Sequence, residues 1–214
     1  MVGIALALLG PGLIALFSVR FAGPSHPLAI RSIGLLAFIS LLVAVGAVAH
    51  YGERVSMAEV GSSRVSWMSL PWAIALTGFF VFLFGPVSSA FLRYAGLGSF
   101  EAGIASLSGL PLWYLVLTIS VVAAGEEWLY RGYAIERLAA LSGSVGAGAL
   151  ISLIAFAIAH VPLWGVGPSL TTLASGAVMT ALYVWRRDVS FLVAAHVATD
   201  LVGLVIAPIA VNRP

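Results

Sequence analysis

Six ionisable residues of this chain lie inside long apolar stretches, where charged groups are rare. They are Glu126, Glu127, Arg131, His160, His196 and Asp200. A charged residue at the centre of a membrane helix costs about 2.5–3.5 kcal/mol, so six facing lipid would cost on the order of 15 kcal/mol. That exceeds the net stability of a typical domain. We therefore expect these side chains to face one another or a shared, water-filled pocket.

The first group predicts a charge pair with one carboxylate left over. Glu127 and Arg131 are four positions apart, a spacing that places them on the same face of a helix. Glu126 is turned by about 100° from its neighbour. It therefore points in another direction and is free to meet a group from a different helix.

The imidazoles lie on two other apolar stretches. His196 and Asp200 are four positions apart, and His160 follows Phe156 by four. A carboxylate and an imidazole in a dry pocket can carry out general acid–base catalysis. A water held between Glu126 and His160 could be deprotonated to attack a carbonyl carbon. His196, with Asp200 beside it, could then donate hydrogen bonds to the resulting oxyanion.

Other hydrolytic chemistries lack support in this sequence. Cysteine is absent, which removes disulfides, thiolate metal sites and a cysteine nucleophile. No G-x-S-x-G or H-E-x-x-H motif occurs, so serine-hydrolase and standard zinc-protease interpretations are not favoured.

The composition indicates a membrane protein. Of the 214 residues, 61% are hydrophobic and 8% are charged, and the mean hydropathy is +1.10. Soluble domains average roughly 45–50% apolar and about 25% charged residues, so lipid must cover part of this surface. The ten basic residues are all arginines and are scattered, which predicts no nucleic-acid partner.

Apolar runs separated by short polar or Gly/Pro-bearing segments predict an all-α, polytopic transmembrane bundle of about seven helices. The predicted helices cover about residues 2–19, 28–50, 70–94, 111–141, 145–161, 169–185 and 189–209. The first is interpreted as a membrane helix, because a basic n-region and a cleavage site are missing. Residues 95–110 predict a loop or a short surface helix.

Three details of these helices are predicted from length and proline positions. Gly85-Pro86 should kink or break the third helix, and Pro162 should end the fifth. The fourth helix is too long for one straight span, so it should bend or project past the bilayer.

Residues 1–109 are assigned to N-terminal membrane helices, and residues 110–214 to a catalytic part whose core is the four C-terminal helices. Both parts form one integral membrane unit.

Taken together, three motifs resemble those of the CAAX protease and bacteriocin-processing (CPBP, or Abi) family, which includes the CAAX prenyl endopeptidase of the endoplasmic reticulum. They are Glu126-Glu127-x-x-x-Arg131, Phe156-x-x-x-His160 and His196-x-x-x-Asp200. The resemblance covers about residues 110–209, and the motifs occur in order on separate apolar helices.

The resemblance implies a role for each motif residue. Glu126 would be the general base and His160 its partner in activating water. His196 and the residue at position 200 would stabilise the oxyanion, and the remaining motif residues, Glu127, Arg131 and Phe156, would support the site. Position 200 is often Asn in the family. Because an ionised Asp200 would oppose an oxyanion, it must be protonated, paired with His196 or turned toward a metal.

The activity implied is that of an intramembrane glutamate-type endopeptidase, a class formerly called metalloproteases. We expect no cofactor, with zinc held by Glu126, His160, His196 and Asp200 as the alternative. The expected partners are the lipid bilayer and a peptide or protein substrate that enters from the membrane, such as one with a C-terminal anchor. The arginine-only, Ala/Gly/Val-rich composition suggests a GC-rich bacterial genome, and hence a multi-pass protein of a bacterial plasma membrane.

Two other functions are compatible with charged residues inside a membrane. A proton-coupled transporter or channel would use intramembrane Glu, His and Asp residues equally well. It would predict a continuous polar path and repeat symmetry, and the sequence contains neither. The other alternative is an inactive scaffold that binds partner helices.

Overall fold

The computed structural model describes residues 1–21, 28–56, 59–60, 67–107 and 109–208. Over these residues the chain is all-α, as predicted, with no strand; it has eight helices where about seven were predicted. The helices are α1 (Val2–Phe21), α2 (residues 28–52), α3 (Ser69–Ala95), α4 (Glu101–Leu107), α5 (Leu112–Ser142), α6 (Val145–Trp164), α7 (Val166–Arg186) and α8 (Ser190–Ile206). The predicted end of the last helix, at residue 209, lies outside the described residues.

Five helices are long and apolar enough to cross a membrane: α1, α2, α3, α5 and α6. Helix α8 is apolar but shorter. Helix α7 carries hydroxyl side chains that are buried within the protein, among them Ser169, Thr171 and Thr180. The chain is therefore an integral, multi-pass membrane protein.

The prediction that Pro162 ends the fifth helix is wrong, because α6 continues to Trp164. A proline removes one backbone donor and crowds the carbonyl four residues earlier. The helix nevertheless includes Pro162 and ends two residues later, where Gly165 follows with a φ of 84°. Helix α7 likewise begins at Val166, earlier than predicted, with Pro168 in its first turn. A proline is tolerated there because that N–H has no partner inside the helix.

Four of the described helices, α2, α3, α5 and α8, contain π-helical segments that the sequence did not reveal, and those of α3 and α5 bear on the predictions. Helix α3 is not broken at Gly85-Pro86, and a π-helical turn, Phe80–Phe84, directly precedes that pair. Helix α5 has 31 residues, or about 46 Å at 1.5 Å per residue, against a hydrocarbon core about 30 Å thick. Its central residues, Glu127–Ala134, form an eight-residue π-helix. Such segments occur frequently at functional sites.

Helix α5 lies between two apolar clusters. One cluster joins α1, α2 and α6 to the π-segment of α5 through side chains such as Phe38, Tyr130 and Phe156. The other joins α3, α7 and α8 to Ile135 through side chains such as Phe191. The middle of α5 is therefore enclosed by the protein, so its charged residues are kept away from lipid.

The loop after α2 also reaches the π-segment of α5. Val60 is fully buried in the first cluster. A Cβ atom on Gly132 would lie only 2.4 Å from the Val60 carbonyl oxygen. Glycine is therefore required at position 132 for this close backbone approach.

Candidate active site

The π-segment of α5 begins within the Glu126-Glu127 pair. Glu126 is the last residue of the α-helical part and Glu127 the first of the π-helix. Arg131 Nη1 donates a hydrogen bond to Glu127 Oε1 at 2.7 Å, and these side chains are 1% and 0% exposed. Arg131 Nη2 also donates to the carbonyl of Gly176 on α7, at 3.4 Å. A charge pair so completely removed from solvent needs these additional partners, because desolvating both ions is costly.

Glu127 holds a histidine as well as the arginine. His196 Nδ1 on α8 lies 2.8 Å from Glu127 Oε1, the oxygen that also accepts from Arg131. A carboxylate paired with arginine is ionised and can only accept hydrogen bonds, so Nδ1 of His196 carries the proton. The orientation of the imidazole is thereby fixed, with Nε2 on its opposite side.

Glu126 meets the other histidine. His160 Nε2 on α6 lies 3.8 Å from Glu126 Oε2. His160 Nδ1 is 2.8 Å from the carbonyl oxygen of Phe156, which can only accept, so the Nδ1 position is protonated. In the neutral imidazole, Nε2 then presents its lone pair toward Glu126.

The Phe156 ring lies among the charged groups. The guanidinium carbon of Arg131 is 4.1 Å from the ring centroid, in cation–π geometry. The ring centroids of His160 and His196 are 4.5 and 6.4 Å away. Phe156 therefore packs against the Arg131 guanidinium and both imidazoles.

Asp200 lies at the open side of the site. Its Oδ2 is 3.5 Å from His196 Nε2, and its side chain is 36% exposed, more than those of the other motif residues. Of the three arrangements considered for Asp200, the structure has the one in which it pairs with His196. The structure thus brings Glu126, His160, His196 and Asp200 into one region formed by α5, α6 and α8.

Some residues of this region were not identified from the sequence. Ser152 on α6 donates a hydrogen bond of 2.6 Å to the carbonyl of Tyr130, inside the π-segment. Ser152 lies one turn before Phe156, so its spacing places it on the face that carries the second motif. Gly176 lies close to Phe156, since a Cβ atom there would be 3.0 Å from the ring. The contacts of Gly176 with Phe156 and Arg131 depend on how α7 packs against α5 and α6. No local sequence pattern indicates that packing.

The donor atoms of the site do not form a metal centre. Within the described ranges, no group of three or more His, Asp or Glu side chains could hold a metal ion. The alternative zinc set of Glu126, His160, His196 and Asp200 therefore lacks the convergence that tetrahedral coordination requires, and we derive no step through a metal.

Comparison with known proteins gives one match. Residues 108–202 match the family model of Rce1-like type II CAAX prenyl endopeptidases. The matched region contains all three motifs and confirms the resemblance drawn from them. No curated protein and no solved structure matches the chain.

Proposed function

Because residues 108–202 match the family model of Rce1-like type II CAAX prenyl endopeptidases, we propose that this chain hydrolyses a peptide bond within the membrane, with Glu126 and His160 activating the attacking water. The observation that carries the proposal is the 3.8 Å separation of Glu126 Oε2 and His160 Nε2. This distance is too long for a good direct hydrogen bond. It suits a single water that contacts both atoms at about 2.8 Å.

In the first step, water attacks the carbonyl carbon of the scissile bond. Its oxygen forms the new C–O bond while Glu126 accepts a proton and His160 Nε2 holds the water in line. The carbonyl π-electrons move onto oxygen and produce a tetrahedral oxyanion. When the oxyanion collapses, the C–N bond breaks and the proton held by Glu126 passes to the leaving amine. Glu126 thus acts first as a base and then as an acid, and it ends the cycle ionised.

His196 is the candidate donor to the oxyanion, and its bonding sets a condition on that role. Since Nδ1 is already bonded to Glu127, only Nε2 can donate to a substrate, and it can do so only in the doubly protonated imidazolium. Asp200, at 3.5 Å from Nε2, provides a negative charge that favours this form. In this proposal Asp200 acts through its charge on His196, so its own carboxylate need not approach the oxyanion.

The substrate is proposed to reach the site from the lipid phase. Two of the three helices that carry the site, α5 and α6, are long and apolar enough to cross a membrane, and Asp200 is the most exposed motif side chain of the site. A peptide with an apolar or lipidated C-terminal segment could therefore approach from the bilayer. The family description names CAAX prenyl substrates, and peptides with C-terminal membrane anchors are the second substrate class to test.

The test is hydrolysis in H₂¹⁸O by the purified chain in lipid nanodiscs. The panel would contain a prenylated CAAX peptide, its unprenylated form and a peptide with an apolar C-terminal anchor. Mass spectrometry should find one ¹⁸O atom in the new carboxylate of at least one substrate. Proton-coupled flux in liposomes without cleavage of any peptide would favour a transporter instead. An absence of both activities would favour a scaffold.

A further inference from the structure

A second polar region of the protein is a cavity of about 610 Å³ at the ends of α2, α5 and α7. Its charged lining residues are Glu53, Arg54, Glu59, Glu136, Arg137 and Arg187. Glu136 follows Glu126 by ten positions along α5, which corresponds to about 15 Å. The cavity is therefore separate from the candidate active site, and the proposed hydrolysis does not use it.

Two of the three glutamates of the cavity are already neutralised. Each is held by one tyrosine hydroxyl and one arginine, in the trios Tyr133–Glu53–Arg137 and Tyr183–Glu136–Arg187. The N-terminal ammonium of Met1 also lies 4.0 Å from Glu53 Oε1. The hydroxyl-to-carboxylate distances are 2.9 and 2.7 Å, respectively. These trios form the rigid walls of the cavity, and their charges largely cancel.

The two remaining charged residues of the cavity are Arg54 and Glu59. Arg54 makes no ion pair or hydrogen bond with any described residue, and its φ of 55° is a left-handed conformation that is uncommon for arginine. Glu59 Oε2 accepts a hydrogen bond from the Ser56 backbone N–H at 2.6 Å. Hydrogen bonds from Ser56 and, to a smaller extent, the charge of Arg137 hold the pKa of Glu59 below its usual value. Among the residues that the structure describes, the cavity thus presents one guanidinium without an ion pair and one ionised carboxylate that pairs with no arginine.

The position of the cavity corresponds to the lipid headgroup layer. It opens where membrane helices end, and Trp72 and Trp185 lie at the same end of the bundle. These two rings are both exposed and pack edge-to-face with centroids 5.3 Å apart. Exposed tryptophans are typical of membrane–water interfaces. Phospholipid headgroups are therefore the ligands present there at the highest concentration.

The charges of the cavity favour a zwitterionic phospholipid headgroup over an anionic one. Of the charged residues that line the cavity, the two without an ion pair among the described residues are of opposite sign, Arg54 and Glu59, whereas pockets for anionic lipids are basic. We propose that this cavity binds the headgroup of a zwitterionic aminophospholipid, with its phosphate at Arg54 and its ammonium at Glu59. A primary ammonium suits this site better than trimethylammonium, because it can donate hydrogen bonds to the carboxylate.

The test is native mass spectrometry of the full chain with short-chain phosphatidylethanolamine, phosphatidylcholine or phosphatidylglycerol. We expect retention of phosphatidylethanolamine to exceed that of the other two about tenfold, the effect of losing one charge-assisted hydrogen bond. Arg54→Gln and Glu59→Gln should each remove this preference. The glutamine at position 59 keeps an oxygen that can accept the Ser56 N–H bond, so the local turn is preserved.

Matched control variants are available away from the cavity, at Arg93 near the C-terminal end of α3 and at Glu101 at the start of α4. Arg93 and Glu101 are exposed, and Arg93→Gln and Glu101→Gln should leave the lipid preference unchanged. Equal retention of the three lipids, or tighter retention of phosphatidylglycerol, would overturn the proposal. It would also be overturned if Glu59→Gln bound phosphatidylethanolamine as the wild type does. None of these outcomes depends on peptide cleavage.

Discussion

Glu127 Oε1 lies 2.8 Å from His196 Nδ1, although the two residues are 69 positions apart in the sequence. The same oxygen accepts the hydrogen bond from Arg131 at 2.7 Å. One carboxylate oxygen therefore joins the first motif to the third and sets the orientation of the imidazole. In the proposed mechanism Glu127 is therefore a positioning residue, distinct from Glu126, which faces His160.

Removing one member of the buried Glu127–Arg131 pair should be strongly destabilising. We expect Glu127→Gln or Arg131→Met alone to lower the free energy of unfolding by about 3–5 kcal/mol, since each leaves an uncompensated buried group. The double variant should recover much of this loss. Denaturant unfolding of the four proteins in a double-mutant cycle measures the coupling. Strictly additive losses would contradict the buried pair.

Ser152 should stabilise the π-segment through its hydrogen bond to the Tyr130 carbonyl. We expect Ser152→Ala to cost about 1–3 kcal/mol, the penalty for leaving a buried polar group unsatisfied. Ser40 is a matched control, because its exposed hydroxyl bonds only to Leu36 within its own helix. Thermal unfolding of both variants should separate them clearly. Equal behaviour of Ser152→Ala and Ser40→Ala would show that the bond between α6 and α5 is unimportant.

Gly132 should not tolerate a side chain. A Cβ atom there would press on the Val60 carbonyl at 2.4 Å, so Gly132→Ala should destabilise the protein by about 1–3 kcal/mol. At Gly78, also within a helix, a Cβ atom would meet nothing within 4 Å. Gly78→Ala should be neutral or stabilising by up to about 1 kcal/mol. If unfolding measurements ranked the two variants in the opposite order, they would contradict the close contact between the Val60 carbonyl and α5 at Gly132.

The clustering of charged residues was predictable from energetics, because lipid cannot accommodate them. The i,i+4 spacing also indicated the partner of Glu127 on its own helix. The bond from His196 to Glu127 was not predictable, since it depends on how α8 is rotated against α5. The spacing of His196 and Asp200 suggested only their mutual pairing, and the structure adds the second partner.

The predicted helices are largely correct, but their irregular features depend on tertiary contacts. The position of Pro162 suggested a helix end there, but the helix continues to Trp164. The next helix begins at Val166, three residues before its predicted start, with Pro168 in the first turn, where a missing donor is tolerated. The π-segment that begins at Glu127 has no local signal, because its freed carbonyls find partners elsewhere in the fold, as at Ser152. The division between residues 1–109 and 110–214 stays a prediction.

The most direct test of the account is peptide hydrolysis by a Glu126→Gln variant. Glutamine is nearly isosteric but cannot accept the proton of the attacking water, so we predict a loss of at least about 100-fold in kcat/KM. The melting temperature should stay close to that of the wild type, and Glu101→Gln, on the exposed helix α4, should cleave normally. Retention of cleavage within tenfold of wild type by a folded Glu126→Gln protein would contradict the assignment of Glu126 as the base.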